Sequence, residues 1–433
     1  MYRLLSCDNS LKILFLVYLI SCPYVFYNSF ARDNSDTIRG YAKRRFKRVE
    51  EVFRYNFAAE YEREGASLSI YHRGEQIVNL WGGYADRNEG RRWNPKTITP
   101  LFSITKAIAS VVIAVLVDRG LLHYEDKVTK YWSEYGTNGK ENTTIEDVLT
   151  HSAGVPYLVG EQISLDDIRS GKIIAKVANV TPIWEPGTAS GYHPVTFGLI
   201  LDGIVMSVDP KRRNVAQFLK DEIADAHGID VHIGVNEENR KRITKVTSAG
   251  FWEYIRDVAR DPRLLVLIGV FHARFDDIAN KLTWNTPWLR VDWDQVTLND
   301  PSIISLPLAA VTGATSAAEI ARLFSYMLSG KLISNHTLSK IVKPTLTSWH
   351  VEQVVLWPIN KGHGFFYEPH PFIQGAYTFG HPGFGGQYIY VDPWTDTVIA
   401  YLSNGLKTGS GILCTPFMNI LNEVYSIFSL RKS

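Results

Sequence analysis

Ser103-Ile104-Thr105-Lys106 runs directly into the apolar stretch Ala107 to Val117, which Arg119 and Gly120 close. That stretch is apolar on nearly all sides yet too short to cross a bilayer, so it reads as a helix buried in a globular domain. Ser103 then belongs to the helix's first turn, with Lys106 on the same face. A serine hydroxyl needs a neighbouring base to become a nucleophile, and an amine stripped of water gives up its proton more easily. The pair therefore holds the parts for covalent catalysis. The helix N-terminus adds positive potential where an oxyanion would form.

Ser-x-x-Lys is weak by itself, since roughly one is expected by chance in a chain of this length. Two further segments add to it. Trp184-Glu185-Pro186-Gly187-Thr188-Ala189-Ser190-Gly191-Tyr192-His193-Pro194 is turn-rich and precedes the helix-like Val195 to Leu201, which puts the Tyr192 phenol at a loop-to-helix junction. Phe379-Gly380-His381-Pro382-Gly383-Phe384-Gly385-Gly386 leads into Gln387 to Pro393, which reads as a strand with a glycine-rich approach. Glycines there let a ligand come close to the backbone.

Taken in this order, the three segments resemble the serine beta-lactamase and penicillin-binding-protein superfamily, in its class C-like branch of beta-lactamase-related esterases and peptidases. The resemblance runs from about Arg48 to Phe428 and takes in Leu149 to Pro156 and Gly313 to Leu323. It implies that Ser103 is the acylated nucleophile, Lys106 the lysine of the same motif and Tyr192 the tyrosine that shares a proton with them. His381-Pro382-Gly383 matches the third motif, which is usually Lys-Thr-Gly in beta-lactamases and begins with His or Trp in many related hydrolases. The implied oxyanion hole is formed by the backbone amides of Ser103 and Phe384. His381 and Gly383 are expected to face substrate. His193, next to the tyrosine, is open to two readings, a substrate contact or a solvated loop residue; His151 and Ser152 read as structural.

Two departures from the family pattern bear on substrate. Where this branch usually has Tyr-x-Asn or Tyr-x-Ser, the chain has Tyr192-His193-Pro194, and proline has no side-chain donor for a substrate amide. His381 in place of lysine also removes a permanent cation that could hold a carboxylate. Both argue against antibiotic hydrolysis and for an esterase, amidase or peptidase working through a Ser103 acyl-enzyme. Two alternatives are a catalytically silent scaffold or self-assembling protein of the same fold, and a D-peptidase, transpeptidase or true beta-lactamase. Either Lys106 or Tyr192 can serve as the base; an ammonium beside the phenol would acidify it, and the pair would titrate together.

The elements that must carry these residues are legible in outline. Phe46, Val49, Phe53 and Phe57 recur at helical spacing, and Ser67 to Tyr71 and Gln76 to Trp81 flank Arg73-Gly74-Glu75 as a hairpin. The chain reads as mostly helical from the Ser103 helix to about Pro344. Strand-like segments return at Tyr388 to Val391 and Thr397 to Leu402, before a last amphipathic helix carrying Phe417, Ile420, Leu421, Val424 and Phe428. The expected fold class is α/β of the α+β type: an antiparallel sheet flanked by N- and C-terminal helices, with an inserted, mostly helical lobe. The expected domain spans residues 40–430, its α/β lobe built from about 40–120 and 345–430 and its helical lobe from about 121–344, with the site between the lobes.

The 433 residues are 45% hydrophobic and 12% aromatic, enough for a large core, and a formal charge of +2 gives no reason to expect nucleic acid as a partner. A small molecule or peptide is the expected substrate. No Gly-x-Ser-x-Gly, His-Glu-x-x-His, P-loop, Gly-x-Gly-x-x-Gly or Cys-x-x-Cys pattern occurs, so neither a metal nor a cofactor is expected. Of the three cysteines, only Cys414 lies in the folded region, so no disulfide is expected there. Residues 1–36 read as a signal peptide or membrane anchor and linker. Basic residues follow the apolar segment, while Asn142-Thr143-Thr144, Asn179-Val180-Thr181 and Asn335-His336-Thr337 are glycosylation sequons. The resulting expectation is a secretory-pathway, extracellular or membrane-associated protein.

Overall fold

The computed structural model describes residues 35–265, 278–292, 295–347, 352–355 and 358–429; the N-terminal apolar segment lies outside them. The strands are β1 (Arg39–Ala42), β2 (Gly65–His72), β3 (Glu75–Asp86), β4 (Arg91–Arg92), β5 (Thr99–Pro100), β6 (Val231–Ile233), β7 (Gly313–Thr315), β8 (Asn360–Gly362), β9 (Phe365–Pro369), β10 (Tyr377–Gly383), β11 (Gln387–Asp392) and β12 (Thr397–Ser403). Six helices matter to the site: α1 (Lys47–Ala58), α2 (Ile104–Asp118), α3 (Ile145–Leu149), α4 (Thr196–Val208), α5 (Ala317–Leu328) and α6 (Thr415–Ser429).

The expected hairpin forms between β2 and β3, and its turn residues Arg73 and Gly74 take φ of +52° and +75°. A nine-stranded sheet follows the order β1-β3-β2-β12-β11-β10-β9-β8, with β4 attached to β3 and every pairing antiparallel. Strands from the two ends of the chain thus meet at its centre, where Ile70 lies opposite Ile399.

Both faces of that sheet are buried, and the strand period of two divides the residues between them. Tyr388, Tyr390, Ile399 and Tyr401 join Val49, Phe53 and Phe57 of α1 and Phe417, Ile420 and Val424 of α6 in one core. Ile389, Val391, Val398, Ala400 and Leu402 point to the other side, into a larger core that takes in α2, α4 and α5. Helix α2 is buried from Ile104 to Val117, as its all-round apolar composition predicts.

Two details differ from expectation. The middle stretch is not purely helical, because β6 and β7 join β5 in a separate three-stranded sheet. The third motif is itself strand: His381 and Gly383 lie in β10, paired with Ile389 and Gln387, and Gly385 and Gly386, both at positive φ, form the turn to β11. Cys414 is a buried free thiol. Among the described residues, no helix is long and apolar enough to cross a membrane.

Phe53 is wholly buried and meets Phe57 and Tyr401 edge-on, with centroids 5.4 and 6.3 Å away. Phe53→Ala should lower unfolding free energy by about 3–5 kcal/mol. Chemical denaturation followed by fluorescence checks this; a loss below about 1 kcal/mol would contradict the packing described.

Candidate active site

Ser103 immediately precedes α2 with φ −69° and ψ −13°. The residue before it, Phe102, is held at φ +50°, uncommon for a bulky side chain. Its surroundings enforce this. Leu101 N donates to Gly313 O (2.8 Å), while the Thr105 hydroxyl donates to Phe102 O (2.6 Å) and accepts from Gly313 N (2.9 Å). A Cβ on Gly313 would lie 2.5 Å from Thr105 Oγ1, so only glycine allows strand β7 this close. Strain of about 1–3 kcal/mol persists where neighbours over-determine the backbone in this way, and it aims the hydroxyl of Ser103.

Lys106 is completely buried. Its Nζ lies 3.4 Å from Ser103 Oγ and donates to the carbonyls of Pro194 (2.8 Å) and Ala310 (3.1 Å). Burial drives its pKa well below the ordinary lysine value. A neutral amine has two N–H groups and one lone pair; the two carbonyls occupy the former, which leaves the latter for the serine proton.

Tyr192 lies before α4, and its ring centroid is 4.7 Å from Lys106 Nζ. Burial pushes the phenol's pKa up; the Ser103 hydroxyl beside it pulls it down by less, and Glu352 adds to the rise. The hydroxyl itself is buried without a hydrogen-bond partner among the described residues. The net direction is up, opposite to the acidification that a neighbouring ammonium would give. Loss of water thus shifts both groups toward their uncharged forms.

The end of β10 presses on the serine turn: a Cβ on Gly383 would lie 2.9 Å from Leu101 O and 3.3 Å from Ile104 Cδ1. Phe384 follows, 52% exposed, with its ring 5.9 Å from that of Phe102. Neither the Ser103 nor the Phe384 amide donates to a turn or loop carbonyl among the described residues. The turn beyond is anchored from behind, where the Cys414 thiol donates to Gly386 O (3.1 Å) and Lys407 N to Gly385 O (3.0 Å).

His381 stacks on Phe366 at 4.4 Å, 6.2 Å from the Tyr192 ring. Its Nδ1 lies 2.7 Å from Pro382 O and so carries the proton, while Nε2 is buried without a partner among the described residues. Burial, and then Lys106, lowers its pKa to about 3. The group beside Tyr192 is thus a neutral ring presenting a lone pair.

His193 fits neither sequence reading, substrate contact or solvated loop. It is buried, with Nε2 accepting from Val155 N (2.9 Å) and Nδ1 donating to Gly191 O (2.5 Å), so both nitrogens are spent on backbone. Burial lowers its pKa to about 3. His151, at φ +60°, accepts from His193 N at its Nδ1 (3.1 Å) and packs 4.8 Å from the Tyr192 ring.

Sequence reasoning missed Glu352, Lys361 and Ser190. Lys361 Nζ donates to Ser190 Oγ (2.8 Å) and Glu352 Oε1 (3.1 Å), and the same carboxylate oxygen accepts from Tyr192 N. No motif marks these residues; a glutamate and a lysine nine positions apart read as solvated charges. Among the described residues, no group of three or more His, Cys, Asp and Glu side chains is placed to hold a metal ion.

A serine held behind a left-handed Phe102, a buried lysine and a buried tyrosine, gathered where a helix meets an antiparallel sheet, define a penicillin-binding-protein-like class of site. The Beta-lactamase family model matches residues 44–422, and the chain belongs to that family. It is 27% identical over 355 residues to the Esterase/beta-lactamase LipL of Mycobacterium tuberculosis, covering 79% of this chain and 77% of that protein. Esterase EstB of Burkholderia gladioli is 28% identical over 145 residues, 30% of this chain and 37% of EstB. A penicillin-binding protein homologue from Caulobacter crescentus superposes with a TM-score of 0.74 at 27% identity, covering 90% of this chain and 99% of the other. The fold of a family VIII carboxylesterase matches with a TM-score of 0.75 at 24% identity, covering 90% and 99% of the two chains.

The geometry fixes His193 and His381 as neutral rings protonated at Nδ1. Long-range 1H–15N correlation spectra should show two such tautomers unchanged from pH 8 to pH 5. A cationic imidazole at either position by pH 5 would contradict the burial described.

Proposed function

We propose that this Beta-lactamase-family hydrolase cleaves an ester, or an amide of similar size, through an acyl-enzyme on Ser103. The observation that carries this reading is the buried Lys106 amine, which donates to Pro194 O and Ala310 O and lies 3.4 Å from Ser103 Oγ. As Ser103 Oγ bonds to the substrate carbonyl carbon, its proton moves to Nζ. The carbonyl oxygen becomes an oxyanion, for which the amides of Ser103 and Phe384 are the candidate donors. The tetrahedral centre then collapses, and the leaving oxygen or nitrogen departs with a proton from the Lys106–Tyr192 pair. Water repeats the sequence on the acyl-enzyme, returning Ser103 and releasing the acid.

Two features favour uncharged esters over carboxylate-bearing beta-lactams. Pro194 contributes its carbonyl to Lys106 and has no side-chain donor for a substrate amide. The third-motif residue is His381, neutral and offering a lone pair, which repels a carboxylate instead of binding it. The esterase name of EstB agrees with this preference, while that of LipL carries both activities.

Intact-mass analysis after exposure to p-nitrophenyl butyrate, a D-amino amide and a cephalosporin tests the reading. The ester should leave one acyl group on the wild type and none on Ser103→Ala. Lys106→Met should slow acylation by about 100- to 10,000-fold. An adduct that survives Ser103→Ala would overturn the assignment, and no adduct from any of the three would leave the silent-scaffold reading standing.

A further inference from the structure

We infer that the buried Glu352–Lys361 ion pair is the positioning device for Tyr192, joining edge strand β8 to the tyrosine loop and fixing the phenol against Lys106. The inference rests on the catalytic reading above for its effect on rate, and on the contacts alone for its effect on the loop.

Four consecutive residues are held here. Ser190 Oγ accepts from Lys361 Nζ and donates to Thr150 O (both 2.8 Å), and Ser190 O accepts from Gln353 N (3.0 Å). Gly191 N donates to His151 O (3.0 Å), and Gly191 O takes the Nδ1 proton of His193 (2.5 Å). Tyr192 N donates to Glu352, and His193 N to His151. Most of these ties are backbone contacts or come from the loop's own neighbours. The exception is the carboxylate, the only side-chain acceptor at Tyr192 itself among these contacts.

Glu352 is suited to that task because it is rigid. One oxygen accepts from Tyr192 N and Lys361 Nζ; the other accepts from Val354 N (2.8 Å) and Val355 N. Both partners of the pair are wholly buried. Charges taken out of water cost several kcal/mol each unless their hydrogen-bonding capacity is met, and a hydrophobic pair of similar volume often serves stability as well. What an apolar pair cannot do is accept the Tyr192 amide proton and hold the Ser190 hydroxyl at once. The loop is closely packed here, since a Cβ on Gly191 would lie 2.6 Å from the Trp184 ring and 3.0 Å from Gln353 Cβ.

The test compares two double variants of the full chain, neither of which strands a buried charge. Glu352→Leu with Lys361→Met removes the clamp. Glu352→Gln with Lys361→Met keeps an acceptor for Tyr192 N. With p-nitrophenyl butyrate, the first should lose roughly 100-fold in kcat at nearly constant KM, as expected for a misplaced reacting group. The second should recover at least 10-fold of that loss. Equal kcat in the two variants, or a wild-type kcat in the first, overturns the inference. Hydrogen exchange on the wild-type protein gives a reading independent of catalysis and of variant folding. The Tyr192 amide should be protected as strongly as the amides of α2, and fast exchange there would overturn the clamp even if Ser103 chemistry stands. Activity that survives Ser103→Ala would instead remove the catalytic reading and leave the exchange result to judge the clamp.

Discussion

The exclusion of water from one amine governs the rest of this structure. Lys106 can sit uncharged beside Ser103 only if nothing nearby rewards its protonation, and the chain meets that condition over a wide radius. Helix α2 is apolar on every side. The rings around the site, His151, His193 and His381, are themselves held uncharged by burial. The buried Lys361 has its own carboxylate, Glu352. Two backbone carbonyls from distant parts of the chain, Pro194 and Ala310, then orient the amine without supplying charge. Carbonyl dipoles instead of an acidic side chain are what allow the group to be held and yet remain a base.

The same economy shapes the backbone. The tight approach of Gly313 to Thr105 and the left-handed Phe102 are local departures from relaxed geometry, and the Thr105 hydroxyl locks both, accepting from Gly313 N and donating to Phe102 O. Gly383 brings β10 onto the serine turn by the same means, the absence of a Cβ. The site is thus assembled by close backbone contacts at two glycines, with side chains filling positions those contacts define.

Much of this was legible from residue pattern. The apolar run after Ser103 could only be a buried helix, and the hairpin at Arg73-Gly74 and the terminal amphipathic helices follow from period and turn chemistry. Motif order placed Ser103, Lys106, Tyr192 and His381 in one family-like constellation. What escaped is what depends on tertiary context. The end of strand β10 was hidden because His381-Pro382-Gly383, followed by Phe-Gly-Gly, has the composition of a turn and becomes strand only by pairing with β11. Strands β6 and β7 are three residues each, too short to show a period. Lys361 and Glu352 carry residue types that normally seek solvent, so only their meeting inside the fold gives them meaning. His193 was misread because adjacency to Tyr192 in sequence says nothing about which way an imidazole turns; the structure turns it inward to brace Val155 and Gly191.

The central pairing of β2 with β12 has a consequence for how the molecule is made. Residues 66–72 pair with β3 early but find their second neighbouring strand only when residues 397–403 exist. During synthesis, the first hairpin must therefore wait with one edge open while more than three hundred further residues emerge. Such an edge is a template for unwanted strand addition, and long-range pairing of this kind is slow to close. Premature termination anywhere before β12 would leave that edge permanently unsatisfied, so fragments of this chain are expected to be clients of chaperones or proteases and not smaller folded versions of the whole.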